Sequence, residues 1–296
     1  MELPRFMKDL PESIQLTITR VLHELRGLPG LVAIALGGSY ARGRVRPDSD
    51  IDIALYYRDS APFDIAAVRK IAAKLNDSPD PVVTGFGEWG PWVDGGAWLT
   101  IGGQRVDFLY RAVEKIEATL AEAQAGRFDI HFEQQPPFGF FGPTILGEAA
   151  IARPLVDPDN ILGALKARVS PMPDALVRAV VQSRLWSIEF GLKVAPKYVA
   201  AGNAVGVAGC VTRFASALIL TLFALNRTYL VNDKTALAEI DTFTNAPSKF
   251  SARLCTIVSN VGADRNEYNA SLKALSALFE EAKILAGEMY KPYWKL

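Results

Sequence analysis

Three aspartates are the residues of this chain best suited to do chemistry together. Asp50 and Asp52 are separated by one apolar residue, and Asp107 stands between Val106 and Phe108. Residues two apart on a strand project from the same face, so Asp50 and Asp52 direct both carboxylates to one side. Two unit charges about 4 Å apart interact by roughly 4 kcal/mol at an effective dielectric of about 20, so such a cluster needs a cation. An all-oxygen ligand set favours Mg²⁺ or Mn²⁺, and such ions assist displacement reactions at phosphate.

A loop that precedes the first two aspartates is suited to bind phosphate. Glycine allows the backbone to approach an anion closely, serine offers a hydroxyl, and a helix that begins here directs free amide N–H groups toward negative charge. The arginines that follow can bind the remaining phosphate charge. The loop is not a P-loop, because Gly43 is followed by Arg44-Val45 rather than by Lys and Ser or Thr. The candidate phosphate-binding residues here are Gly38, Ser39, Arg42, Arg44 and Ser49.

The combined pattern resembles the signature of the DNA polymerase β-like nucleotidyltransferase superfamily. Gly38-Ser39 is followed, after ten intervening residues, by Asp50-x-Asp52 between apolar neighbours and later by Asp107. The resemblance implies that the Gly-Ser pair binds a nucleoside triphosphate and that the first two acids bind two metal ions. It also implies that the third acid binds the catalytic metal or acts as the general base. The implied cofactor is Mg²⁺ or Mn²⁺, with ATP as the expected co-substrate.

Two other acids compete with Asp107 for the third position. Glu88 and Asp94 lie on the same approach, but neither has apolar neighbours on both sides. Asp107 is therefore favoured, and its role as base, ligand or both stays open.

The acids and the loop need strands to bring them together. Ile51, Ile53 and Leu55 alternate with polar or small residues, which is the period of a strand, and the apolar run 31–36 predicts a buried strand. Two strand-like runs, 97–101 and 104–110, flank Gly102-Gly103 and indicate a hairpin whose second strand carries Asp107. Further predicted elements are helices at 10–26, 65–75 and 112–125 and a strand at 82–86.

The chain is predicted to have an α/β (α+β) fold in two domains. Residues 1–150 form a nucleotidyltransferase-type mixed sheet with helices, and residues 151–296 form a helical bundle. The whole chain also resembles a family of bacterial proteins with this layout, similar to the aminoglycoside nucleotidyltransferases. The active site is expected in a cleft between the domains. Residues 132–147, rich in Pro, Gly and Phe, are expected to form an ordered covering loop.

Two segments outside this pattern are open to more than one interpretation. The polar break 226–234 is either an ordinary turn between helices or a nucleotide-binding segment, in which Lys234, and with it Asn226 or Tyr229, contacts the nucleotide. Trp89, Trp92 and Trp98 either pack against the predicted hairpin or stack on a ligand.

The amino-acid composition of the chain restricts the kinds of partner that it can bind. The 32 basic and 32 acidic side chains cancel, so the chain has no overall field to attract DNA or RNA. Two cysteines are too few for a disulfide framework. Arg213 is the only charged residue in 205–225, and the part that follows it, 214–225, is shorter than the roughly 18 residues of a membrane span, which predicts a buried helix. We expect a cytoplasmic protein that binds neither DNA nor a membrane; its oligomeric state cannot be read from the sequence.

The expected function is Mg²⁺-dependent transfer of a nucleoside monophosphate to a hydroxyl of a small molecule, with release of pyrophosphate. One alternative is nucleotidylation of a protein or a tRNA, as in some toxin systems. Another is a non-catalytic antitoxin or binding module of the same fold, against which the intact acid set argues.

Overall fold

The sheet that carries the predicted site is mixed, and its strands follow an order different from their order in the chain. The structure, a computed structural model, describes residues 4–90, 92–133 and 138–293. Among these residues the sheet has six strands in the order β3-β4-β5-β2-β1-β8, and β6 and β7 form a separate pair. The strands are β1 (Leu31–Leu36), β2 (Ile51–Tyr57), β3 (Val82–Val83), β4 (Gly96–Ile101), β5 (Gln104–Ala112), β6 (Ile130–His131), β7 (Phe140–Phe141) and β8 (Arg153–Val156).

Helices flank this sheet and make up most of the rest of the described chain. They are α1 (Glu12–Leu25), α2 (Gly38–Arg42), α3 (Ile65–Leu75), α4 (Val113–Gln124), α5 (Thr144–Ile151), α6 (Ile161–Val169), α7 (Asp174–Ala200), α8 (Ala204–Leu225), α9 (Ala236–Ile240), α10 (Phe250–Ser259) and α11 (Arg265–Ala286). Short 3₁₀ helices cover Arg5–Asp9, Asp233–Thr235 and Gly287–Met289. The predicted fold class, a mixed α/β sheet followed by a helical half, is confirmed.

One face of the sheet is the hydrophobic core of the first part of the chain. The alternating apolar residues of β2 and β5 pack there with the apolar faces of α1 and α3. Because successive residues on a strand point to opposite faces, this burial directs Asp52 and Asp107 to the other face.

The segment that follows residue 144 packs against part of the other face. Arg111 of β5 donates from Nε to Glu148 of α5 at 2.9 Å. Strand β8 pairs antiparallel with β1 at the edge of the sheet, and Lys166 of α6 donates to the Ala150 carbonyl at 2.9 Å. The sequence pattern did not predict β8, because its four residues include a proline and lie between two helices.

The chain divides into two compact units made of interleaved segments. The first comprises residues 1–120 and 145–170, and the second comprises residues 121–144 and 171–296. The predicted boundary at residue 150 falls inside α5 and so differs from this division. The physical reason is the pairing of β8 with β1, which returns the chain to the first sheet after residue 144.

In the second unit, α7, α8 and α11 pack against one another. Helix α8 has a mean hydropathy of 1.8 and is, by length and composition alone, able to cross a membrane. Since 72% of its apolar window is buried inside the protein, the helix has the character of a bundle core.

Two predicted segments differ in the structure. The strand predicted at 82–86 ends at Val83, because the chain then turns and the Gly85 amide donates to Glu88 Oε2 at 2.6 Å. The predicted loop 132–147 contains β7 and the start of α5, and its residues 134–137 lie outside the described part of the chain.

Candidate active site

The parallel pairing of β2 and β5 brings two of the three predicted acids together. In the register of these strands Asp52 lies directly beside Asp107. On the other side of β2, the Gly37 amide donates to the Asp52 carbonyl at 2.8 Å, so the pairing with β1 continues into the glycine loop. Two acids and the predicted phosphate loop therefore meet at one end of three adjacent strands.

Gly38 is in direct contact with the carboxylate of Asp52. A Cβ built on Gly38 would lie 1.7 Å from Asp52 Oδ2, and its φ of +56° is in the left-handed region that favours glycine. Both observations require glycine at this position. The Gly-Ser pair and the Asp-x-Asp pair, distant in sequence, thus form one structural unit.

Helix α2 begins directly after this contact. Tyr40 is buried in the core and anchors the helix, while Ser39 is half-buried on the loop side. Gly43, with a φ of +64°, ends the helix, and the Gly43 amide donates to the Tyr40 carbonyl at 3.4 Å. Arg42 is half-buried and Arg44 is exposed, so the predicted phosphate-binding arginines remain on the surface of this loop.

Ser49, which the sequence predicts to bind phosphate, forms hydrogen bonds within its own loop. Its hydroxyl accepts from the Arg46 amide at 2.9 Å, and its amide donates to the Arg46 carbonyl at 3.0 Å. The Ser49 carbonyl accepts from Gln104 at 3.1 Å. These bonds fold residues 46–49 into a turn, and this turn positions Asp50 directly before β2.

Asp50 is paired with a residue that the sequence did not single out. Arg105 of β5 lies with one guanidinium nitrogen 2.5 Å from Asp50 Oδ1, and it also donates to the Asp48 carbonyl at 2.5 Å. Asp50 Oδ1 is buried, and the guanidinium of Arg105 is its charged partner. The alternation of residues along β5 indicates that Arg105 lies near the acids, because Arg105 and Asp107 are two residues apart and share a face of the strand.

Burial and mutual repulsion perturb the acids beside the glycine loop. Burial, with the charges of Asp107, Glu148 and Asp50, raises the pKa of Asp52 to about 7, against a smaller lowering effect of Arg111. Burial, followed by the charge of Asp50, raises the pKa of Asp107 to about 6, and Arg105 opposes this shift. Both carboxylates are therefore costly to ionise without a compensating cation.

Arg111 and Glu148 form a charged pair behind the acids. Besides the Nε bond, a terminal nitrogen of Arg111 lies 2.8 Å from Glu148 Oε2, and the Arg111 side chain is only 12% exposed. Arg111 follows Asp107 by four residues on the same face of β5, which is the sequence signal for its location. The signal for Glu148 is absent from local sequence, because only the packing of α5 on the sheet brings it there.

The donor set has the chemistry of a Mg²⁺ site, although its side chains have not converged. The three carboxylates supply only oxygen, and Asp50 Oδ1 is a buried oxygen without a hydrogen bond. Across residues 4–90, 92–133 and 138–293, however, no three His, Cys, Asp or Glu side chains stand close enough together to hold a metal ion. Asp50 is directed to the guanidinium of Arg105, which supplies the positive charge at this end of the cluster.

The two competitors of Asp107 are engaged elsewhere. Asp94 Oδ2 accepts from the Ala112 amide at 3.0 Å, and its Oδ1 lies 2.9 Å from the ammonium of Lys115. Glu88 closes the turn at Gly85 described above. The register therefore favours Asp107 as the partner of Asp52.

The predicted contributors from the helical half belong to the second unit. Lys234 is exposed in a short 3₁₀ helix, and its amide donates to Asn232 at 2.8 Å. Asn226 donates to the Leu222 and Asn245 carbonyls, at 2.7 and 2.9 Å, and so joins two segments of this unit. Tyr229 is buried. Of the three, Lys234 has the exposure that a ligand contact needs.

Two family models match parts of the chain. Residues 18–121 match a model described as a nucleotidyltransferase domain, and residues 145–234 match a model described as a domain of unknown function, DUF4037. A crystal structure of a nucleotidyltransferase-like protein from Exiguobacterium sibiricum 255-15 aligns with a TM-score of 0.45 and 8% identity, over 93% of this chain and 78% of that one. None of the curated proteins matches the sequence.

Proposed function

We propose that the protein transfers a nucleoside monophosphate from a nucleoside triphosphate to a hydroxyl of a small molecule, because residues 18–121 match the model of a nucleotidyltransferase domain and the glycine loop and acids resemble those of the DNA polymerase β-like superfamily. Pyrophosphate is the second product. ATP is the proposed donor and Mg²⁺ the proposed metal.

One observation carries this proposal. Asp52 stands between Asp107, its neighbour on β5, and the backbone of Gly38, which touches its carboxylate. A phosphate held by the glycine loop therefore lies beside the two acids. That is the arrangement required to exchange groups on phosphorus next to a cation.

The side chains have distinct proposed roles. Asp50, Asp52 and Asp107 would hold a divalent cation, which would supply positive charge beside the phosphates. Ser39, Arg42 and Arg44 bind the triphosphate oxygens, and Gly38 allows the backbone to approach them.

The transfer itself needs one proton acceptor. Asp107 lies beside Asp52 on the side away from the glycine loop, which supports it as the acid that receives a proton from an incoming hydroxyl. The oxygen of that hydroxyl then bonds to the α-phosphorus. The bond from this phosphorus to the bridging oxygen breaks, and its electron pair leaves with pyrophosphate.

A small acceptor is supported by charge. The chain as a whole is neutral, and the basic residues near the acids are few and local. A nucleic-acid acceptor is generally held by many cationic contacts along its backbone. Trp98, which pairs with Asp107 across β4 and β5, is a flat aromatic side chain of the kind that lines binding sites for compact ligands.

Thermal unfolding with each nucleoside triphosphate tests the binding part of the proposal. A triphosphate with Mg²⁺ at a hundredfold excess over its dissociation constant should stabilise the protein by about 2.7 kcal/mol. With EDTA in place of Mg²⁺ the shift should largely vanish. Equal shifts in both conditions would show that the acids are not metal ligands.

A further inference from the structure

Two arginines of the second unit form a local concentration of positive charge. Arg184 lies in α7 and Arg213 in α8, and these two helices pack against each other. Burial, together with the charge of Arg213, lowers the pKa of Arg184, so the two guanidinium groups are close enough to repel each other. Among the described residues no Asp or Glu forms an ion pair with either arginine. The repulsion is therefore not offset by an acid of the described chain.

One short segment of the same unit, residues 128–132, places an aromatic ring against each arginine, and we call it the aromatic strap. The guanidinium carbon of Arg184 lies 5.6 Å from the ring centroid of Phe128. The guanidinium carbon of Arg213 lies 4.8 Å from the ring centroid of Phe132. Strand β6, which pairs antiparallel with β7, lies between the two phenylalanines. The β6–β7 pair therefore holds both rings of the aromatic strap in one place.

Acids that lie near the arginines in sequence do not neutralise them. Asp129, inside the aromatic strap, has Oδ2 at 2.5 Å from His131 Nε2. Glu133, directly after the strap, is exposed and forms no ion pair with a described residue. Glu189, farther along α7, accepts a hydrogen bond from the hydroxyl of Tyr290. The charge of the arginine pair is therefore available to a bound anion.

The N–H groups of the two arginines are also open to a ligand. Arg184 donates from Nε to Ser183 Oγ at 3.4 Å, and its two terminal nitrogens make no hydrogen bond with the described residues. Solvent reaches these nitrogens, because the fully buried side-chain polar atoms that lack a partner in the described chain belong to Asp50 and Tyr110. Arg213 is exposed. Contact with a phenyl ring leaves the N–H donors of a guanidinium unused.

The number and kind of these donors indicate the ligand. A guanidinium offers paired N–H groups that match two oxygens of a phosphate or a carboxylate. Two guanidinium groups carry two positive charges, which a phosphate dianion balances and a single carboxylate does not. We propose that Arg184 and Arg213 form a phosphate-binding site in the second unit, for inorganic phosphate or for the phosphate group of a monoester. This site is additional to the glycine loop, and neither arginine has a role in the proposed transfer.

Isothermal titration calorimetry of the full-length protein with sodium phosphate tests the proposal. EDTA is present throughout, so that no divalent cation contributes, and acetate at equal ionic strength is the comparison anion. We expect phosphate to bind to the wild type and acetate to bind at least about tenfold more weakly, because a monoanion balances only one of the two charges. Absence of phosphate binding, or equal binding of acetate, would overturn the proposal.

Variants of the two arginines then locate the bound phosphate. Arg184→Gln and Arg213→Gln should each weaken phosphate binding by at least about tenfold. Arg178→Gln, which changes an exposed arginine of the same helix α7, is the matched control and should bind phosphate as the wild type does. Arg42→Gln, in the glycine loop, should also leave this binding unchanged. Binding that survives in both variants of the pair, or that is lost in Arg42→Gln, would place the phosphate elsewhere and overturn the proposal.

Thermal unfolding separates phosphate binding from a purely structural role of Arg184. Without phosphate, removal of one of two repelling charges should leave the melting temperature of Arg184→Gln equal to or above that of the wild type, which also shows that the variant is folded. Added phosphate should then raise the melting temperature of the wild type more than that of Arg184→Gln. Equal shifts in the two proteins would show that Arg184 only packs against Phe128.

A comparison of ligands identifies the source of the phosphate. Inorganic phosphate and glycerol 3-phosphate are titrated in parallel into the wild type and Arg213→Gln. Tighter binding of glycerol 3-phosphate would identify a monoester as the ligand, and tighter binding of the free ion would identify inorganic phosphate. If Arg213→Gln weakens the binding of neither, the proposal is wrong. None of these measurements uses a triphosphate or turnover, so their outcome does not depend on the proposed function.

Discussion

At the scale of single residues, Asp52 connects the parts of the candidate site. Its carboxylate touches Gly38, it lies beside Asp107, and the charge of Glu148 behind it contributes to its raised pKa. A buried acid in such surroundings is difficult to ionise unless a cation is bound. Removing the charge of Asp52 is therefore predicted to lower activity and to raise the stability of the metal-free protein.

We expect Asp52→Asn to remove activity while leaving the fold intact. The amide keeps the shape of the side chain but loses the charge that the cation needs, so turnover should fall at least about 100-fold. Asp48→Asn, an exchange of an exposed acid in the same segment, should keep wild-type turnover. A folded Asp52→Asn protein that retains wild-type turnover would exclude Asp52 from the site.

Stability of the metal-free protein should depend on pH through the same residue. The pKa of Asp52 is raised from an ordinary value of 3.8 to about 7, so the folded state holds a proton that the unfolded state releases. This contribution to stability is therefore present below about pH 4 and is lost as pH rises toward 7. Asp52→Asn does not titrate, so the melting temperature of the variant relative to the wild type should increase between pH 4 and pH 7 in EDTA.

The size of this effect can be measured by thermal unfolding of both proteins in parallel. Near pH 7 we expect Asp52→Asn to be more stable than the metal-free wild type by about 1–4 kcal/mol. A difference in melting temperature that stays constant across this pH range would show that folding does not raise the pKa of Asp52.

At the scale of elements, the junction between β1 and α2 is the most constrained. Gly38 and Gly43 both have positive φ values, +56° and +64°, but only a side chain at position 38 would meet another group, the carboxylate of Asp52. Substitutions at the two glycines therefore share the cost of backbone strain, and only the substitution at position 38 also disturbs Asp52.

Alanine at each position tests this distinction. Both Gly38→Ala and Gly43→Ala should cost about 1–2 kcal/mol of stability, because each places a Cβ in the left-handed region. Only Gly38→Ala should also displace Asp52 and reduce Mg²⁺-dependent triphosphate binding, by at least about tenfold. Equal binding by the two variants would show that contact between Gly38 and Asp52 has no part in the site.

The strands that carry the acids could be predicted because their apolar residues alternate or form a short run. Strand β1 has the predicted bounds, and β2 and β5 carry Asp52 and Asp107 at the expected positions. Strand β8 could not be predicted, because its pairing with β1 depends on residues more than a hundred positions apart. The position of Glu148 behind the acids could not be predicted either, because it depends on the packing of α5 on the sheet. The pairing of Trp98 with Asp107, by contrast, follows from the register of the predicted hairpin at Gly102-Gly103.

At the scale of the whole molecule, Lys234 belongs to the helical second unit and is exposed. We propose that this exposed lysine binds the triphosphate, so Lys234→Ala should weaken triphosphate binding. A charge-assisted hydrogen bond of roughly 1.5–3 kcal/mol corresponds to about a 10–150-fold loss. Lys193→Ala, which removes an exposed lysine from α7, is the matched control. An unchanged dissociation constant in Lys234→Ala would show that residues 226–234 form only a turn between helices.

The central claim concerns the bond that is broken, and α-labelled triphosphate tests it most directly. The protein is incubated with this nucleotide, Mg²⁺ and the small-molecule fraction of a cell lysate. Pyrophosphate is then quantified, and the labelled products are separated by size. We expect the wild type to release one pyrophosphate for each labelled small molecule formed, and Asp52→Asn or EDTA to abolish both products. Label on protein or RNA would change the acceptor but keep the reaction. Release of orthophosphate without pyrophosphate, or no release above Asp52→Asn, would contradict nucleotidyl transfer.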